Sequence, residues 1–437
     1  MKAMRVGLIG LGTVGRGTLE VLRRNRTEIE RRAGRPIEVV RVAVRNVARA
    51  QAIVGSDVAV SADPFDVVRD DSIGIVAELM GGTELARELV LEAIRGGKHV
   101  VTANKALLAL HGNEIFAAAE QAGVMVAFEP AVAGGIPIIK ALREGLTANR
   151  IEWVAGIVNG TTNFILSEMR ERGAGFDEVL AQAQALGYAE ADPSFDVDGV
   201  DAAHKATILA AIAFGMPVRF DAAHVEGISR LQPADIRYAE RLGYRIKLLA
   251  IARRREDAVE LRVHPTLIPA RRLLASVEGP MNAVMVMGDA VGTTLYYGKG
   301  AGAEPTASSV IADLVDVTRL HTADPEHRVP HLAFQPSALD DLKVLPIDAV
   351  LTSFYLRLRV ADQPGVLAEI ARILAEAHIS IDALFQREPV EGETQTEIIL
   401  LTHETIEGNM NRALVRIEAL PTVLEPAIRL RLEQLAD

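Results

Sequence analysis

Two lysines in the chain have neighbours that suit proton transfer or the stabilisation of a developing negative charge. Lys105 follows a short apolar run at 98–102, and Lys205 lies four positions after Asp201 in an apolar stretch. An ammonium group beside a carbonyl stabilises a forming alkoxide and can donate a proton to it. Each also has a simpler interpretation: Lys105 as a surface residue that starts a helix, and Asp201 with Lys205 as an exposed helical pair of about 0.2–0.5 kcal/mol.

Carboxylates are concentrated in the segment 187–205, which also holds Tyr188. A helix is expected at 200–214, and its part 206–214 is apolar. The segment contains five acidic residues: Glu190, Asp192, Asp196, Asp198 and Asp201. Because the loop adjoins so apolar a helix, we expect it to be shielded from solvent and its carboxylates to hold an ammonium group of a substrate. Asp198 is instead expected to cap the helix, as short acidic side chains do.

A third polar group ends an apolar strand at 151–158 and has the sequence Asn159-Gly160-Thr161-Thr162-Asn163. Its amides and hydroxyls could bind a carboxylate at the N-terminus of the helix that follows. The alternative is that Thr161 or Thr162 is a simple N-cap.

The turn Gly10-x-Gly12-x-x-Gly15 follows an apolar strand and opens a helix. In a dinucleotide site the first glycine allows the tight turn, the second lets the backbone approach the pyrophosphate, and the third lets helix and strand pack closely. The alternative is a glycine turn with a structural role only.

The end of the second strand bears on the choice of cofactor. An acid there would bind the ribose 2′-hydroxyl of NAD, but the residues are Arg45 and Asn46. A guanidinium favours a 2′-phosphate, so we expect NADP, with use of NAD left open. Arg45 as a mere surface residue at the strand end is the alternative.

Three domains and a linker are expected from the pattern of elements. β-branched runs at 4–9, 37–44, 73–79 and 99–102 alternate with helical stretches such as 14–32, which is typical of a parallel sheet. The C-terminal order is strand 354–360, helix 365–377, strands 379–387 and 396–402, helix 406–420 and strand 422–432. The fold class is therefore α/β: an N-terminal Rossmann-type parallel sheet (1–130), a mixed α+β catalytic and dimerisation domain (131–320), an exposed Pro-, His- and Asp-rich linker (321–350), and a ferredoxin-like βαββαβ domain (351–437).

Composition excludes several classes of function. The 437 residues carry a formal net charge of -11, which disfavours nucleic acid and anionic membranes as partners. No run reaches the ~18 apolar residues of a membrane span, and no secretory leader is evident, so we expect a cytoplasmic protein. The absence of cysteine excludes thiolate nucleophiles and disulfides, and the ten scattered histidines give no support to a transition-metal site.

Over essentially its whole length the chain resembles homoserine dehydrogenase. The resemblance rests on the Gly10–Gly15 turn, Thr-Ala-Asn-Lys at 102–105, Glu-Pro-Ala-Val-Ala-Gly-Gly-Ile-Pro at 129–137, the 159–163 and 187–205 segments, and a late glycine motif at 297–307. It implies reversible reduction of L-aspartate 4-semialdehyde to L-homoserine in threonine, methionine and isoleucine biosynthesis. Aspartate semialdehyde dehydrogenase, which shares this metabolite, depends on a cysteine that this chain lacks, so that alternative is excluded.

The resemblance also implies roles for individual residues. Lys205 is similar in position to the family's proton donor, and Lys105 to the lysine that contacts cofactor and substrate. Substrate binding is implied for Glu190, Asp196, Asp201, Gly160, Thr161 and Tyr188. Cofactor binding is implied for Gly10, Gly12, Thr13, Val14, Gly15, Arg45, Asn104, Lys105 and Gly302. The family often binds a monovalent cation such as sodium, which would be held mostly by backbone carbonyls at Glu129, Val132, Gly134 and Ile136.

The C-terminal segment resembles an ACT domain, an amino-acid-sensing module that pairs across subunits. Asp362 and Gly365 mark the turn where an effector would bind, and L-threonine is the effector that the family implies. The module could instead serve only as a dimerisation surface. We expect a homodimer or homotetramer.

Two competing hypotheses follow from the same segments. Another dehydrogenase with an ACT domain, acting on a hydroxy acid or prephenate, would leave Lys105, Glu190 and Lys205 unexplained. A non-catalytic sensor of dinucleotide and amino acid would tolerate the loss of both lysines, whereas an enzyme that loses its general acid slows by roughly 10²-fold or more.

Overall fold

A computed structural model describes residues 2–386 and 394–435. The chain divides into two compact units, each assembled from three segments. The first comprises Met1–Gly160, Asp201–Asp221 and Pro280–Leu342, and the second comprises Thr161–Val200, Ala222–Gly279 and Lys343–Asp437. Because these segments interleave, Gly160 and Thr161 are adjacent in sequence but belong to different units, and the same holds for Val200 and Asp201. The domain boundaries expected at 130, 320 and 350 stay a prediction.

A six-stranded parallel sheet forms the framework of the first unit. Its strands are β1 (Met4–Ile9), β2 (Ile37–Ala43), β3 (Ala59–Ser61), β4 (Ile75–Glu78), β5 (His99–Thr102) and β6 (Val126–Ala127). In their spatial order, β3-β2-β1-β4-β5-β6, the strand numbers fall as far as β1 and rise from β4 onward, so the order reverses between these two strands. Sheets of this order bind dinucleotides beyond the carboxyl ends of the strands at the reversal. The predicted Rossmann-type sheet is confirmed.

Helices cover this sheet, and every residue of its strands β4 and β5 is buried, as is typical of parallel sheets. The helices of this part of the chain are Thr13–Arg24, Arg26–Ala33, Val47–Val54, Phe65–Val68, Glu84–Arg95 and Lys105–Ala122. The late helix Ala303–Leu320 joins the same core through Val310 and Leu314. A Cβ on Gly17 would lie 2.4 Å from the Ala303 carbonyl oxygen, so glycine permits this close packing.

Two expectations about this unit need correction. The single helix expected at 14–32 is two helices, because Asn25 leaves the helical region with φ -105° and ψ 19°. The segment 321–342 belongs to the first unit and is not a wholly exposed linker. Its Leu332 is buried, and the Val126 amide donates to Nε2 of His331, whose ring stacks on Phe116.

The rest of the first unit contains an antiparallel sheet and a buried helix. The sheet places Met281–Gly288 between Ile151–Ile157 and Gly292–Lys299. All residues of the helix Val200–Phe214 from Asp201 onward are buried. Shorter helical turns lie at Glu129–Ala131, Ile138–Lys140, Ala141–Gly145, Phe220–Ala222, Pro325–His327 and Pro336–Ala338.

The second unit is built on a long hairpin, Tyr244–Arg255 with Ala258–Pro269, to which the sequence patterns had assigned no element. The strand Ala258–Pro269 also pairs in parallel with Ile428–Leu432 and with His224–Val225, so the sheet is mixed. Helices of this unit include Gly160–Arg172 from Thr161 onward, Phe176–Ala185, Ser194–Val197, Pro233–Arg241 and Leu273–Ser276. The expected mixed α+β region is confirmed.

The C-terminal part of this unit has the predicted βαββαβ order. Its elements are Leu351–Ala361, Val366–Glu376, Ile381–Gln386, Gln395–Thr402, Glu407–Glu418 and Ile428–Leu432. In the antiparallel sheet the first strand lies between the fourth and the third, and the second is at the edge. The expected end of the second strand at Arg387 falls outside the described residues. Within 2–386 and 394–435, none of the helices combines the length and apolarity needed to cross a membrane.

Candidate active site

The glycine turn after β1 has the geometry of a pyrophosphate-binding turn. Gly10 has φ +101°, a conformation that favours glycine, and a Cβ on Gly15 would lie 2.3 Å from the Gly10 carbonyl oxygen. A Cβ on Gly12 would meet no atom within 4 Å, so the backbone there faces open space. Thr13 and Val14 begin the helix, whose N-terminal amides supply positive potential. This cradle fits a dinucleotide.

Other residues expected at the cofactor lie in the same unit. Arg45 is exposed beyond the end of β2, and Asn46 beside it caps the helix Val47–Val54 by accepting a bond from the Arg49 amide. Asn104 likewise caps the helix that begins at Lys105. Gly302, with φ +131°, is the N-cap of the helix Ala303–Leu320.

Lys105, Asp201 and Lys205 form one cluster in the first unit. Lys205 Nζ donates to Asp201 Oδ2 at 2.6 Å and to the Val158 carbonyl at 2.7 Å. Lys105 Nζ lies 3.2 Å from Asp201 Oδ1, and Asn159 Nδ2 donates to Oδ2 at 2.9 Å. Asp201 and Lys205 are 3% and 9% exposed, so the interpretation as an exposed helical pair is wrong.

The two ammonium groups keep Asp201 ionised. Burial alone raises the pKa of a carboxyl group, but the charges of Lys205 and Lys105 and the hydrogen bonds from Lys205 and Asn159 outweigh it and lower the pKa of Asp201 to about 2. A permanently charged, fully engaged carboxylate therefore holds both lysines in place. The two lysines differ in solvent exposure: the side chain of Lys105 is 35% exposed, and that of Lys205 is 11% exposed.

The 159–163 segment starts a helix, and its side chains have structural partners. The helix begins at Gly160, so Thr161 and Thr162 lie within the first turn and are not N-caps. The Thr161 hydroxyl donates to the Tyr188 carbonyl at 2.7 Å, and the Tyr188 ring packs on Phe164. Thr161 and Tyr188 are thus brought together.

The acidic loop is more open than expected. Glu190 is exposed and Tyr188 is 43% exposed, so the expectation that this loop is shielded from solvent is wrong. Asp196 lies in the short helix Ser194–Val197 and is half-buried. Asp198 is the C-cap of that short helix, and Gly199 directly precedes the next one, so the N-cap role expected for Asp198 is wrong.

The segment 129–136 is suited to a hard cation through its backbone. Ala133 and Gly134 both have positive φ, which turns successive carbonyls out of a regular helix. The carbonyl of Gly134 accepts a bond from Ser309 Oγ, and that of Ile136 accepts one from the Ile138 amide, so each keeps a second lone pair.

The carboxylate of Glu129 is otherwise engaged. It accepts bonds from the amides of Ile139 and Lys140, whereas its own amide donates to Asp313. Burial and, as a smaller cause, the charge of Glu129 raise the pKa of Asp313 to about 8. A cation would therefore rely on carbonyl oxygens, including that of Val132, which fits the donor set expected from the sequence.

The expected effector turn lies at the surface of the second unit. Gly365 has φ +95° and is the N-cap of the helix Val366–Glu376, and a Cβ there would meet no atom within 4 Å. The exposed Asp362 donates its amide to the Thr394 carbonyl. Backbone amides at this turn could therefore receive a small anion.

Two residues of the site were not singled out from the sequence. Asn159 was noted only as part of its segment, yet its side chain bonds Asp201. Glu78 is the last residue of β4 and accepts a hydrogen bond from Thr102. Asn104, two residues after Thr102, caps the helix that begins at Lys105. An acid within an otherwise apolar run was the available signal.

Comparison with known proteins places these features in one family. A model of the homoserine dehydrogenase NAD-binding domain matches residues 10–129, a homoserine dehydrogenase model matches 137–315, and an ACT model matches 354–422. Homoserine dehydrogenases of Pseudomonas aeruginosa and Neisseria gonorrhoeae are 62% and 56% identical, each over 100% of both chains.

Solved structures give the same result. The crystal structure of a homoserine dehydrogenase from Thiobacillus denitrificans has a TM-score of 0.95 and 67% identity, and covers 100% of this chain and 99% of its own. A hyperthermophilic archaeal homoserine dehydrogenase in complex with NADPH has a TM-score of 0.63 and 27% identity, and covers 74% and 99%. The chain therefore belongs to the homoserine dehydrogenase family of NAD(P)-dependent oxidoreductases and carries a C-terminal ACT domain.

Proposed function

We propose that this chain catalyses the reversible reduction of L-aspartate 4-semialdehyde to L-homoserine in threonine, methionine and isoleucine biosynthesis. The observation that carries the proposal is the cluster of Lys105 with the buried pair Asp201 and Lys205, in the unit that holds the dinucleotide turn. Lys105 directly follows β5, at the sheet edge where ligands of such folds bind.

The chain's own residues would control the charge and the proton of this reaction. The bound reduced nicotinamide supplies the hydride to the aldehyde carbon. Lys205 donates a proton from its ammonium group to the oxygen of that carbonyl, and Asp201 holds the ammonium group while the negative charge develops. Lys105, which is more exposed than Lys205, would contact both cofactor and substrate. In the reverse direction Lys205 accepts the hydroxyl proton of homoserine.

Substrate contacts are proposed for the residues that the family resemblance implies. The carboxylates of Glu190, Asp196 and Asp201 would bind or orient the amino group of homoserine, and Gly160, Thr161 and Tyr188 would line the substrate. The open setting of Glu190 leaves its carboxylate available to a cation. Asp201 is also bonded to two lysines, so in addition it would hold them in place.

NADP is the proposed preferred cofactor. The exposed guanidinium of Arg45 at the end of β2, where no acid is present, supports it. One relative of known structure was solved with NADPH. Gly10, Gly12, Thr13, Val14, Gly15, Asn104 and Gly302 would complete the cofactor site, and NAD remains an alternative hydride carrier.

Regulation, the cation and assembly are further parts of the proposal. L-Threonine would bind near Asp362 and Gly365 and inhibit the enzyme, with pairing of ACT domains alone as the alternative role. Sodium would bind at the carbonyls of the 129–136 segment. We also expect a homodimer or homotetramer, and a cytoplasmic location stays a prediction from the sequence.

Oxidation of L-homoserine by the purified protein, with NADP and NAD in parallel, tests the proposal. Turnover is expected for the wild type and a fall of roughly 10²-fold or more for Lys205→Met. Lys343→Met, which changes an exposed lysine of the second unit, is the matched control and should behave as the wild type. Dinucleotide binding without turnover in the wild type would favour the sensor hypothesis instead.

A further inference from the structure

One buried carboxylate beside the proposed cofactor site has no role in the reaction described above. Glu78 is the last residue of β4 and is 0% exposed. It pairs with Ile9 of β1 on one side and with Thr102 of β5 on the other. It therefore lies at the carboxyl edge of the sheet, where the strand order reverses and dinucleotides bind.

The carboxylate of Glu78 holds the loop that follows β4. Its Oε1 accepts bonds from the amides of Met80 at 3.0 Å and Gly81 at 3.2 Å. Gly81 and Gly82 both have positive φ, so this loop takes a conformation that ordinary helix or strand hydrogen bonds do not stabilise. The same loop approaches the glycine turn, because a Cβ on Gly10 would lie 2.7 Å from the Leu79 carbonyl oxygen.

The other oxygen of Glu78 is connected to the start of the Lys105 helix. Thr102 Oγ1 donates to Glu78 Oε2 at 2.7 Å and accepts from the Asn104 amide at 3.0 Å. Asn104 then caps the helix through the Leu107 amide and donates its Nδ2 to the Gly82 carbonyl at 2.7 Å. The two loops on either side of Glu78 are thereby joined, and Lys105 is the next residue.

The hydrogen-bond partners of Glu78 present donors to both of its oxygens. Two amides can only donate to Oε1, and the Thr102 hydroxyl, which accepts from Asn104, has its hydrogen available for Oε2. The ionised carboxylate satisfies all three donors. Burial nevertheless raises the pKa of Glu78, against the effect of these bonds.

We propose that Glu78 is a positioning residue for cofactor binding and for Lys105. Its carboxylate joins the 79–82 loop to the 102–105 turn, and through Thr102 and Asn104 it sets the place from which Lys105 reaches Asp201. The inference rests on the proposed cofactor site at the reversal between β1 and β4. Glu78 touches neither reacting atoms nor Asp201, so it acts only through the residues it holds.

Glutamine at position 78 separates positioning from packing. Glu78→Gln keeps the volume, but its amide nitrogen cannot accept, so either the amides of the 79–82 loop or the Thr102 hydroxyl lose their acceptor. A residue needed only for packing would tolerate this change, and the loss of a buried charge removes a desolvation cost. We therefore expect an unchanged or higher melting temperature together with weaker function.

Thr102 supplies a second, independent pair of variants. Thr102→Val removes the hydroxyl with little change of shape, whereas Thr102→Ser keeps it. Thr352→Val is the matched control, because it removes a buried hydroxyl that bonds the Leu432 carbonyl in the second unit. This pair keeps the test decisive even if Glu78→Gln fails to fold.

The experiment measures NADPH affinity by fluorescence titration without substrate, the melting temperature of the free protein, and turnover. We expect Glu78→Gln and Thr102→Val to weaken NADPH binding roughly tenfold and to lower turnover by roughly 10- to 100-fold, as is typical when supporting hydrogen bonds are lost. Thr102→Ser should recover most of the loss, and Thr352→Val should bind as the wild type.

Three results would overturn the inference. They are wild-type affinity and turnover in folded Glu78→Gln, equal behaviour of Thr102→Val and Thr102→Ser, or losses that follow the melting temperature in every variant. A wild-type protein that fails to bind NADPH would instead refute the proposed cofactor site on which the inference rests.

Discussion

Replacing Asp201 with asparagine tests whether the carboxylate holds the lysine cluster together. The change keeps the shape of the side chain but leaves Lys205, which is 9% exposed, without its anion. The pKa of Asp201 is lowered from an ordinary 3.8 to about 2. A shift of this size corresponds to about 2 kcal/mol of stability at neutral pH, and an uncompensated buried ammonium adds to the loss, up to about 3–5 kcal/mol.

The dependence on pH has a definite sign. Because the folded-state pKa of Asp201 lies below the ordinary value, the stabilisation is fully present above pH 3.8 and is lost as the pH falls from there through about 2. The stability difference between wild type and Asp201→Asn should therefore be constant at neutral pH and narrow below about pH 4. Turnover of the variant should also fall, since the proton donor is no longer held in place.

Urea unfolding at pH 7, repeated toward acid pH, measures these differences. The double variant Asp201→Asn/Lys205→Met should recover part of the lost stability, because it leaves no unpaired buried charge, and the cycle gives the coupling energy. The reasoning would be refuted by an Asp201→Asn protein as stable as the wild type at pH 7. A stability difference that fails to narrow below about pH 4 would count equally against it.

Two further variants test the cofactor site, and a third tests helix packing in the same unit. Arg45→Ala should weaken NADP binding by roughly 10- to 100-fold, as expected for a charge-assisted bond to a phosphate, and leave NAD unaffected; equal effects in parallel kinetic assays would exclude a 2′-phosphate contact. Gly12→Ala should melt at the wild-type temperature, because no atom lies within 4 Å of its Cβ, yet bind NADPH more weakly in a fluorescence titration. Gly17→Ala should melt at a lower temperature in a thermal scan, because its Cβ would lie 2.4 Å from a carbonyl oxygen, and an unchanged melting temperature would contradict the packing described.

Elements bounded by clear local signals were predictable from the sequence. The strands Met4–Ile9 and His99–Thr102 and the helix Val200–Phe214 have the expected bounds. In each, an apolar run ends at glycine, asparagine or another residue that interrupts regular structure. The break at Asn25 was missed because the helical periodicity continues on both sides of it.

The state of the candidate site was not predictable in the same way. Asp201 and Lys205 four positions apart have the same spacing whether the helix is exposed or buried. In the structure they bond to the Val158–Asn159 segment, which lies more than forty positions earlier in the chain and contributes a carbonyl and an amide. Glu78 depends in the same way on Thr102, 24 positions later.

By itself, the sequence determined the strands of the parallel sheet, the dinucleotide turn, the βαββαβ order and the family, because these depend on residue type and spacing over a few neighbours. Tertiary structure alone decided that the two units interleave along the chain, that Asp201 joins two lysines, and that Glu78 links two loops. Burial and charge pairing are set by contacts between distant segments, and it is these contacts that fix the ionisation and orientation of groups at a site.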